Sequence, residues 1–290
     1  MSARAADFRD RYGPWALVCG ASDGIGEAFA RELAAAGLHV ALLARRRDRL
    51  EALAAELTAQ HGVDARVVVA DLTADTLVAD VTSQVGPREI GSLVYVSGSP
   101  TEHVDFLDAE PDTWTRQIRL NCDGPMQLAH AFGRGMRERR RGGLLFLTSL
   151  ANQAGGGRHA LYCGTKAFDQ LFAESLWHEL SPHGVDVLSL LVGPTHTPTT
   201  DEVLGLDFGR LFPDPSFVAR ADEVAREGLD HLHEGPVWIP NAALRQAFPH
   251  LSPEQRAAAV EAATASNARL DGITDYVPVW DPERGRKRVR

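Results

Sequence analysis

Short apolar runs alternate with helical patterns along most of this chain, and that alternation leaves few folds open. WALVCG (15–20), LHVALLA (38–44), ARVVVAD (65–71), GSLVYVSG (91–98), GGLLFLTS (142–149) and VDVLSLLVG (185–193) read as strands, with PVWIP (236–240) a last short one. Between the first two, GEAFARELAAAG (26–37) places Phe29, Leu33 and Ala36 at helical spacing and closes on Gly37 as a C-cap. Leu50, Leu53 and Leu57 repeat the pattern over 47–62. Further helices are expected over 74–86, 112–140, 160–184, 220–235 and 252–270, and 199–220 reads as loop with short helical pieces. Strands that are apolar throughout must be covered on both faces. With right-handed crossovers this gives an α/β fold, a doubly wound parallel sheet of about seven strands. No linker or repeat divides the 290 residues, so the expectation is a single domain, core about 13–240, with a helical C-terminal extension over 241–290.

Composition narrows the function classes. The net charge of −9 gives no reason to expect nucleic acid as a partner. The basic end, DPERGRKRVR, reads as a solvated, disordered tail. Cys19, Cys122 and Cys163 form no C-x-x-C pair, which fits a reduced, cytoplasmic setting. MSARAADFRDRYG lacks the apolar stretch of a signal peptide, and no run is long enough for a membrane span. No His/Cys/Asp cluster has metal-ligand spacing, so no metal is expected.

GASDGIG (20–26) joins the first strand to the first helix. Glycines at 20, 24 and 26 let backbone turn tightly and approach a pyrophosphate at the helix N-terminus. A glycine triplet alone could serve any tight turn; its strand–turn–helix context favours a dinucleotide. Gly20, Ser22, Asp23, Gly24, Ile25 and Gly26 are therefore candidate cofactor contacts. The second strand ends at Ala44 rather than at the carboxylate that grips a ribose 2′-hydroxyl, and Arg45 and Arg46 follow. Arg45 could take a 2′-phosphate bidentately, so NADP(H) is favoured over NAD(H). A solvated helix start is the competing reading of these arginines, more credible for Arg47 than for Arg45, and Asp23 is a mild counter-signal. Asp71 and Leu72, ending the third strand, are candidates for the adenine edge, although loop capping would explain Asp71 nearly as well.

Only two of the 30 Lys+Arg residues are lysine, Lys166 and Lys287. Lys166 follows Tyr162 by four positions, which places both on one helical face. A free tyrosine, with a pKa of about 10, is a poor acid or base at neutral pH, and a nearby ammonium makes its phenolate accessible. Arginine would keep the charge but is bulky and never gives up its proton.

Gly20-x-x-x-Gly24-x-Gly26, Tyr162-x-x-x-Lys166 and Ser149 thirteen residues before the tyrosine together resemble the short-chain dehydrogenases/reductases, over about residues 13–240. GPWALVCGASDGIG also resembles the ketoacyl-CoA and 17β-hydroxysteroid reductase branch. The resemblance implies a Rossmann-type sheet and an NAD(P)-dependent oxidoreductase acting on CH–OH groups. It implies that Ser149 hydrogen-bonds the substrate oxygen, that Tyr162 moves its proton, and that Lys166 lowers the tyrosine pKa and binds the nicotinamide ribose. Asn121 would hold a relay water. Gly98, Gly193, Thr195 and Thr197 would lie at the cofactor, with Tyr162 and Lys166. Asn121 could equally be a helix kink, and Thr197 a helix cap. Two places depart from the family: Asn-Asn-Ala-Gly reads Tyr95-Val96-Ser97-Gly98, and Val192 replaces the proline before Gly193. Altered packing rather than lost chemistry is expected at the first.

Val203, Leu204, Leu206, Phe208, Leu211 and Phe212 form an apolar set where the family carries a lid, and AGGGRHA (154–160) offers a roomy wall with Arg158 and His159 near Tyr162. A small hydrophobic ketone or secondary alcohol is the expected substrate; packing of the lid on the core or on a second subunit is the alternative. The helices 112–140 and 160–181 form the oligomer face in the family, which implies a homodimer or homotetramer. Two other readings stay open: a non-catalytic NADP(H)-binding regulator, which predicts a broken tetrad, and a sugar-nucleotide epimerase or dehydratase, which predicts a longer chain and another glycine spacing.

Overall fold

The computed structural model describes residues 3–96, 98, 104–198, 200, 207–270, 276–281 and 286–287. Ser97 and the apolar residues Val203, Leu204 and Leu206 lie outside the described residues, as does the side chain of Phe208.

The strands are β1 (Trp15–Cys19), β2 (His39–Ala44), β3 (Ala65–Val69), β4 (Ile90–Tyr95), β5 (Gly142–Ser149), β6 (Val185–Val192) and β7 (Val237–Trp238). The helices are α1 (Ala3–Tyr12), α2 (Gly24–Ala35), α3 (Arg47–His61), α4 (Leu77–Val85), α5 (Pro111–Ile118), α6 (Gly124–Arg139), α7 (Ala160–Leu180), α8 (Ala221–Asp230), α9 (Ala242–Ala247) and α10 (Pro253–Leu270). The seven strands form one parallel sheet in the order β3-β2-β1-β4-β5-β6-β7. Strand order reverses between β1 and β4, which opens a crevice at their carboxyl ends.

Successive strand residues point to opposite faces, so each strand feeds two cores. Val18 of β1 and Leu42 of β2 meet Phe29 and Leu33 of α2, Leu50 of α3 and Val224 of α8. Leu17, Leu43 and Leu93 meet Val81 of α4, Leu128 of α6 and Trp177 of α7 on the other side. Fully burying each of these large side chains is worth about 1.5–3 kcal/mol.

Several features depart from the expectation or add to it. The fourth strand stops at Tyr95, short of 98, because backbone leaves the ladder there and reaches Gly98 at a φ of 123°. The helix expected over 112–140 is α5 and α6 joined through one π turn, Arg119–Asp123. The extension packs on the sheet's helices: Ala257 of α10 and Trp280 are buried in the second core. In the basic tail, Arg286–Lys287 pairs antiparallel with Trp280–Asp281, where a disordered end was expected. Helix α1, which the sequence did not signal, is fastened at its C-terminus to β6, where the Tyr12 hydroxyl donates to buried Asp186 at 2.7 Å and Arg11 pairs with the same carboxylate.

Candidate active site

The glycine turn after β1 is built around backbone that no side chain could share. Gly20 and Gly24 have φ of 88° and 54°, the left-handed region that favours glycine. A Cβ on Gly26 would sit 2.1 Å from the Gly20 carbonyl oxygen, so α2 can start against β1 only with glycine there. Thr197 closes the turn from the far side: a Cβ on Gly24 would lie 3.2 Å from the Thr197 Cβ. Among the residues named from sequence, Ser22, Asp23 and Ile25 line this turn, partly buried. A cradle of bare backbone at the N-terminus of a twelve-residue helix fits a dinucleotide pyrophosphate.

Arg46, more than Arg45, reaches back to this turn. Its Nη2 donates to Ser22 Oγ at 3.0 Å and pairs with Asp23 at 3.3 Å. Arg45 is exposed, and its charge acts on Asp71. Burial raises the Asp71 pKa, but hydrogen bonds from the Thr73 amide and hydroxyl, with Arg116 and Arg45 nearby, outweigh it and hold the carboxyl below its usual range. Asp71 thus does cap its own loop, at 2.9 and 2.8 Å from Thr73, and also pairs with Arg116. Leu72 beside it is buried.

Ser149 ends β5, and its oxygen accepts from the Ala151 amide at 3.2 Å, starting a 3-10 turn. The next helix, α7, presents Tyr162 in its first turn and Lys166 one turn on. Lys166 is buried, and its Nζ donates to the Leu147 carbonyl oxygen at 2.9 Å, two residues before Ser149 on β5. Asn121, in the π turn, is fully buried and donates through Nδ2 to Thr165 Oγ1 at 2.9 Å, while Thr165 donates to the Tyr162 carbonyl. Gly98 lies against both: a Cβ there would sit 2.5 Å from Asn121 Oδ1 and 3.1 Å from Lys166 Nζ. Asn121 Oδ1 is itself buried with no hydrogen-bond partner among the described residues, an acceptor that suits a water.

Tyr95 shows what replaced the usual asparagine after the fourth strand. Its buried hydroxyl donates to the Leu120 carbonyl at 2.6 Å, satisfying backbone of the π turn that carries Asn121. A Cβ on Gly124 would lie 2.5 Å from that hydroxyl, so the tyrosine needs glycine opposite.

On the other wall, Thr195 is buried and donates to the Gly193 carbonyl at 3.1 Å, and Thr197 bonds with Thr200. Gly193 carries Leu244 of α9 on its face: a Cβ there would meet Leu244 Cδ1 at 2.4 Å. That leucine belongs to a small apolar cluster with Leu191, Val237, Ile239 and Leu251. Gly155 and Gly157 of the opposite wall have open space on their Cβ side, and the His159 ring stands 6.4 Å from Tyr162, edge-on. Leu211 is exposed and Phe212 half-buried. Among the described residues no three His, Cys, Asp or Glu side chains gather as a metal site, and no helix is long and apolar enough to cross a membrane.

Sequence reading passed over Asp169. Its carboxylate lies 3.1 Å from Lys166 Nζ, with both side chains almost wholly enclosed. Burial pushes its pKa up to about 6, against the pull of Lys166. The signal was present in the row Thr165, Asp169, Ala173, Trp177, spaced by four along α7, all of which face inward.

The short chain dehydrogenase family model matches residues 14–204. A very-long-chain 3-oxoacyl-CoA reductase of Aspergillus clavatus is 36% identical over 178 residues, which is 60% of this chain and 52% of that protein. The chain thus spans about half the length of that curated relative. A solved short-chain dehydrogenase from Sphingobium yanoikuyae in complex with NADPH superposes with a TM-score of 0.71 at 28% identity, covering 93% of this chain and 98% of that one. A 7beta-hydroxysteroid dehydrogenase structure shares the fold at a TM-score of 0.78 and 24% identity, over 84% of this chain and 93% of its own.

Proposed function

This chain belongs to the short-chain dehydrogenases, and from that premise we propose that it is an NADP(H)-dependent oxidoreductase that interconverts a hydrophobic ketone and its secondary alcohol. The observation that carries the reading is Lys166, a buried lysine bonded to the Leu147 carbonyl of β5, two residues before Ser149, and one helical turn from Tyr162.

The glycine turn and Thr197 would hold the cofactor, with Gly98, Gly193 and Thr195 shaping its nicotinamide end. When bound, the nicotinamide supplies or accepts the hydride. In reduction Ser149 donates a hydrogen bond to the carbonyl oxygen, and Tyr162 delivers the proton that makes that oxygen a hydroxyl. Lys166 steadies the phenolate left behind, and a water on Asn121 Oδ1 returns the proton. Oxidation runs the same steps backwards.

Preference for NADP(H) is supported by Ala44 at the end of β2, where no carboxylate stands, and by Arg45 and Arg46 beside it. Arg46 already spans Ser22 and Asp23. An apolar substrate is supported by the Leu244 cluster beside Gly193 and the open glycine wall at 155–157. Pairing of two copies through α6 and α7 is supported by an apolar groove lined by Met126, Ala129, Gly133, Phe172 and Leu176, with Phe168 and Leu171 exposed on α7.

Tryptophan-fluorescence titration with NADPH and NADH tests the cofactor assignment on wild type, Arg45→Ala and Arg46→Ala. NADPH should bind at least about tenfold tighter than NADH, a difference of about 1.4 kcal/mol, and one of the two substitutions should remove it. Equal binding of both cofactors by wild type would overturn the preference.

A further inference from the structure

We propose that Asp169 is a positioning residue of the proton-transfer site: its carboxylate fixes the Lys166 ammonium from the α7 side and offsets part of the charge with which that lysine acidifies Tyr162. The proposal rests on the reading of Tyr162 and Lys166 as the proton-transfer pair. Its consequence is a site set toward carbonyl reduction, because a phenol that keeps its proton to higher pH is the form that delivers one.

The geometry is specific. Lys166 Nζ has two acceptors, the Leu147 carbonyl at 2.9 Å and Asp169 Oδ2 at 3.1 Å. The side chains of the pair are 4% and 5% exposed, so solvent does little to screen it. An exposed pair at this helical spacing would merit no comment, but a carboxylate taken out of water costs far more than it returns unless something requires it there. The other members of its row, Thr165, Ala173 and Trp177, carry no charge. Backbone holds the ammonium from β5 through Leu147; Asp169 holds it from α7 and, unlike a neutral acceptor, also brings an opposing charge. The second oxygen, Oδ1, is buried and has no hydrogen-bond partner among the described residues; Asn121 Oδ1 is in the same condition.

Among the described residues, two titratable groups face Asp169 from neighbouring elements, and the charge of Asp123 acts on both of them. Tyr95 faces it from β4 and Cys122 from the π turn. Burial is the main cause that holds both in their neutral forms, raising Tyr95 well above its usual value and Cys122 to about 11. Lys166 is the charge that acts on Asp169. The field at Tyr162 is then that of an ion pair rather than of a bare ammonium. Converting Asp169 to a neutral side chain leaves the full positive charge acting on the phenol, so the phenol should ionise more readily.

Tyrosine absorbance reads this without turnover. The chain has four tyrosines. Burial, first among the causes, pushes Tyr12, Tyr95 and Tyr276 upward. The absorbance step that Tyr162→Phe removes is the Tyr162 step. In Asp169→Asn the step should move to lower pH by roughly one unit. The high-pH limb of kcat/KM for ketone reduction should move with it, while NADPH affinity stays within about twofold. An unmoved or upward-moved step would overturn the proposal. Asp169→Ser, which leaves room for a water, reads the same shift if the asparagine variant is unstable; loss of folding in both would also overturn it, by making the carboxylate a requirement of folding alone. A shifted step in a protein that reduces no ketone would sink the substrate reading and leave the positioning role standing.

Discussion

A methyl group on Gly26 would press 2.1 Å from backbone oxygen that cannot move without pulling α2 off β1. Gly26→Ala should therefore cost at least about 1–3 kcal/mol in urea unfolding and abolish NADPH binding. Gly62 ends α3 in the left-handed region with open space around it, so Gly62→Ala should cost only about 1 kcal/mol and leave binding intact. Asp169 makes a prediction with a definite sign. Its pKa rises from 3.8 to about 6 on folding, so the folded state binds more protons across that window. Its contribution is then most favourable below the window and is lost as pH rises through it. Stability of wild type relative to Asp169→Asn, measured by urea unfolding at several pH values, should fall as pH rises through the window and level off above it; a rise would contradict the assignment. Tyr162 and Lys166 were legible in sequence because their spacing of four coincides with a chain that almost never uses lysine. Asp169 was not, because an acid three places after a lysine looks like any solvated helical pair until its inward row is traced. Which of Arg45 and Arg46 turns back to Ser22 depended on how the chain leaves β2, and composition does not encode that.

Tyr95, the π turn and Gly124 form one element-scale unit. The tyrosine hydroxyl satisfies the Leu120 carbonyl, and only glycine at 124 leaves it room. Gly124→Ala should destabilise by about 1–3 kcal/mol, and Tyr95→Phe by about 1–3 kcal/mol through a partly buried carbonyl left unpaired. Together they should cost less than their sum, because removing the hydroxyl removes the clash; a double-mutant cycle by urea unfolding measures the difference, and strict additivity would break the link. Strands and their order were legible, since apolar runs alternating with helical patterns admit little else. The helix over 112–140 was read as one run with a kink as the alternative reading of Asn121, and the π turn Arg119–Asp123 stands at that residue. Tyr95 was noted as a departure, but that its hydroxyl caps the turn behind Asn121 emerges only from the packing of β4 on α6.

At the scale of the molecule, the C-terminal extension is wired to the wall of the site. Arg256 of α10 makes a two-pronged pair with Glu174 of α7, at 2.8 and 2.6 Å. Glu174 accepts from Gln170, whose Oε1 accepts from Asn152 in the turn after Ser149. Glu174 is 3% exposed, so Arg256→Ala would strand a buried carboxylate and should cost about 3–5 kcal/mol in urea unfolding. A change near zero would show that α10 is an appendage. The role of the extension was not legible because polar side chains such as Arg256 and Glu174 announce a solvated face in sequence and a buried network only once two helices meet. We propose that this fold carries Asn121, Ser149, Tyr162 and Lys166 as a working proton-transfer set on an NADP(H) site. The most direct test is the loss of NADPH absorbance with a panel of bulky apolar ketones, run for wild type and Tyr162→Phe after NADPH affinity has been measured for both. The expected result is turnover by wild type and, with affinity unchanged, at least about a hundredfold slower turnover by Tyr162→Phe. Equal turnover by the two proteins, or NADPH bound by wild type with no ketone reduced, would contradict it.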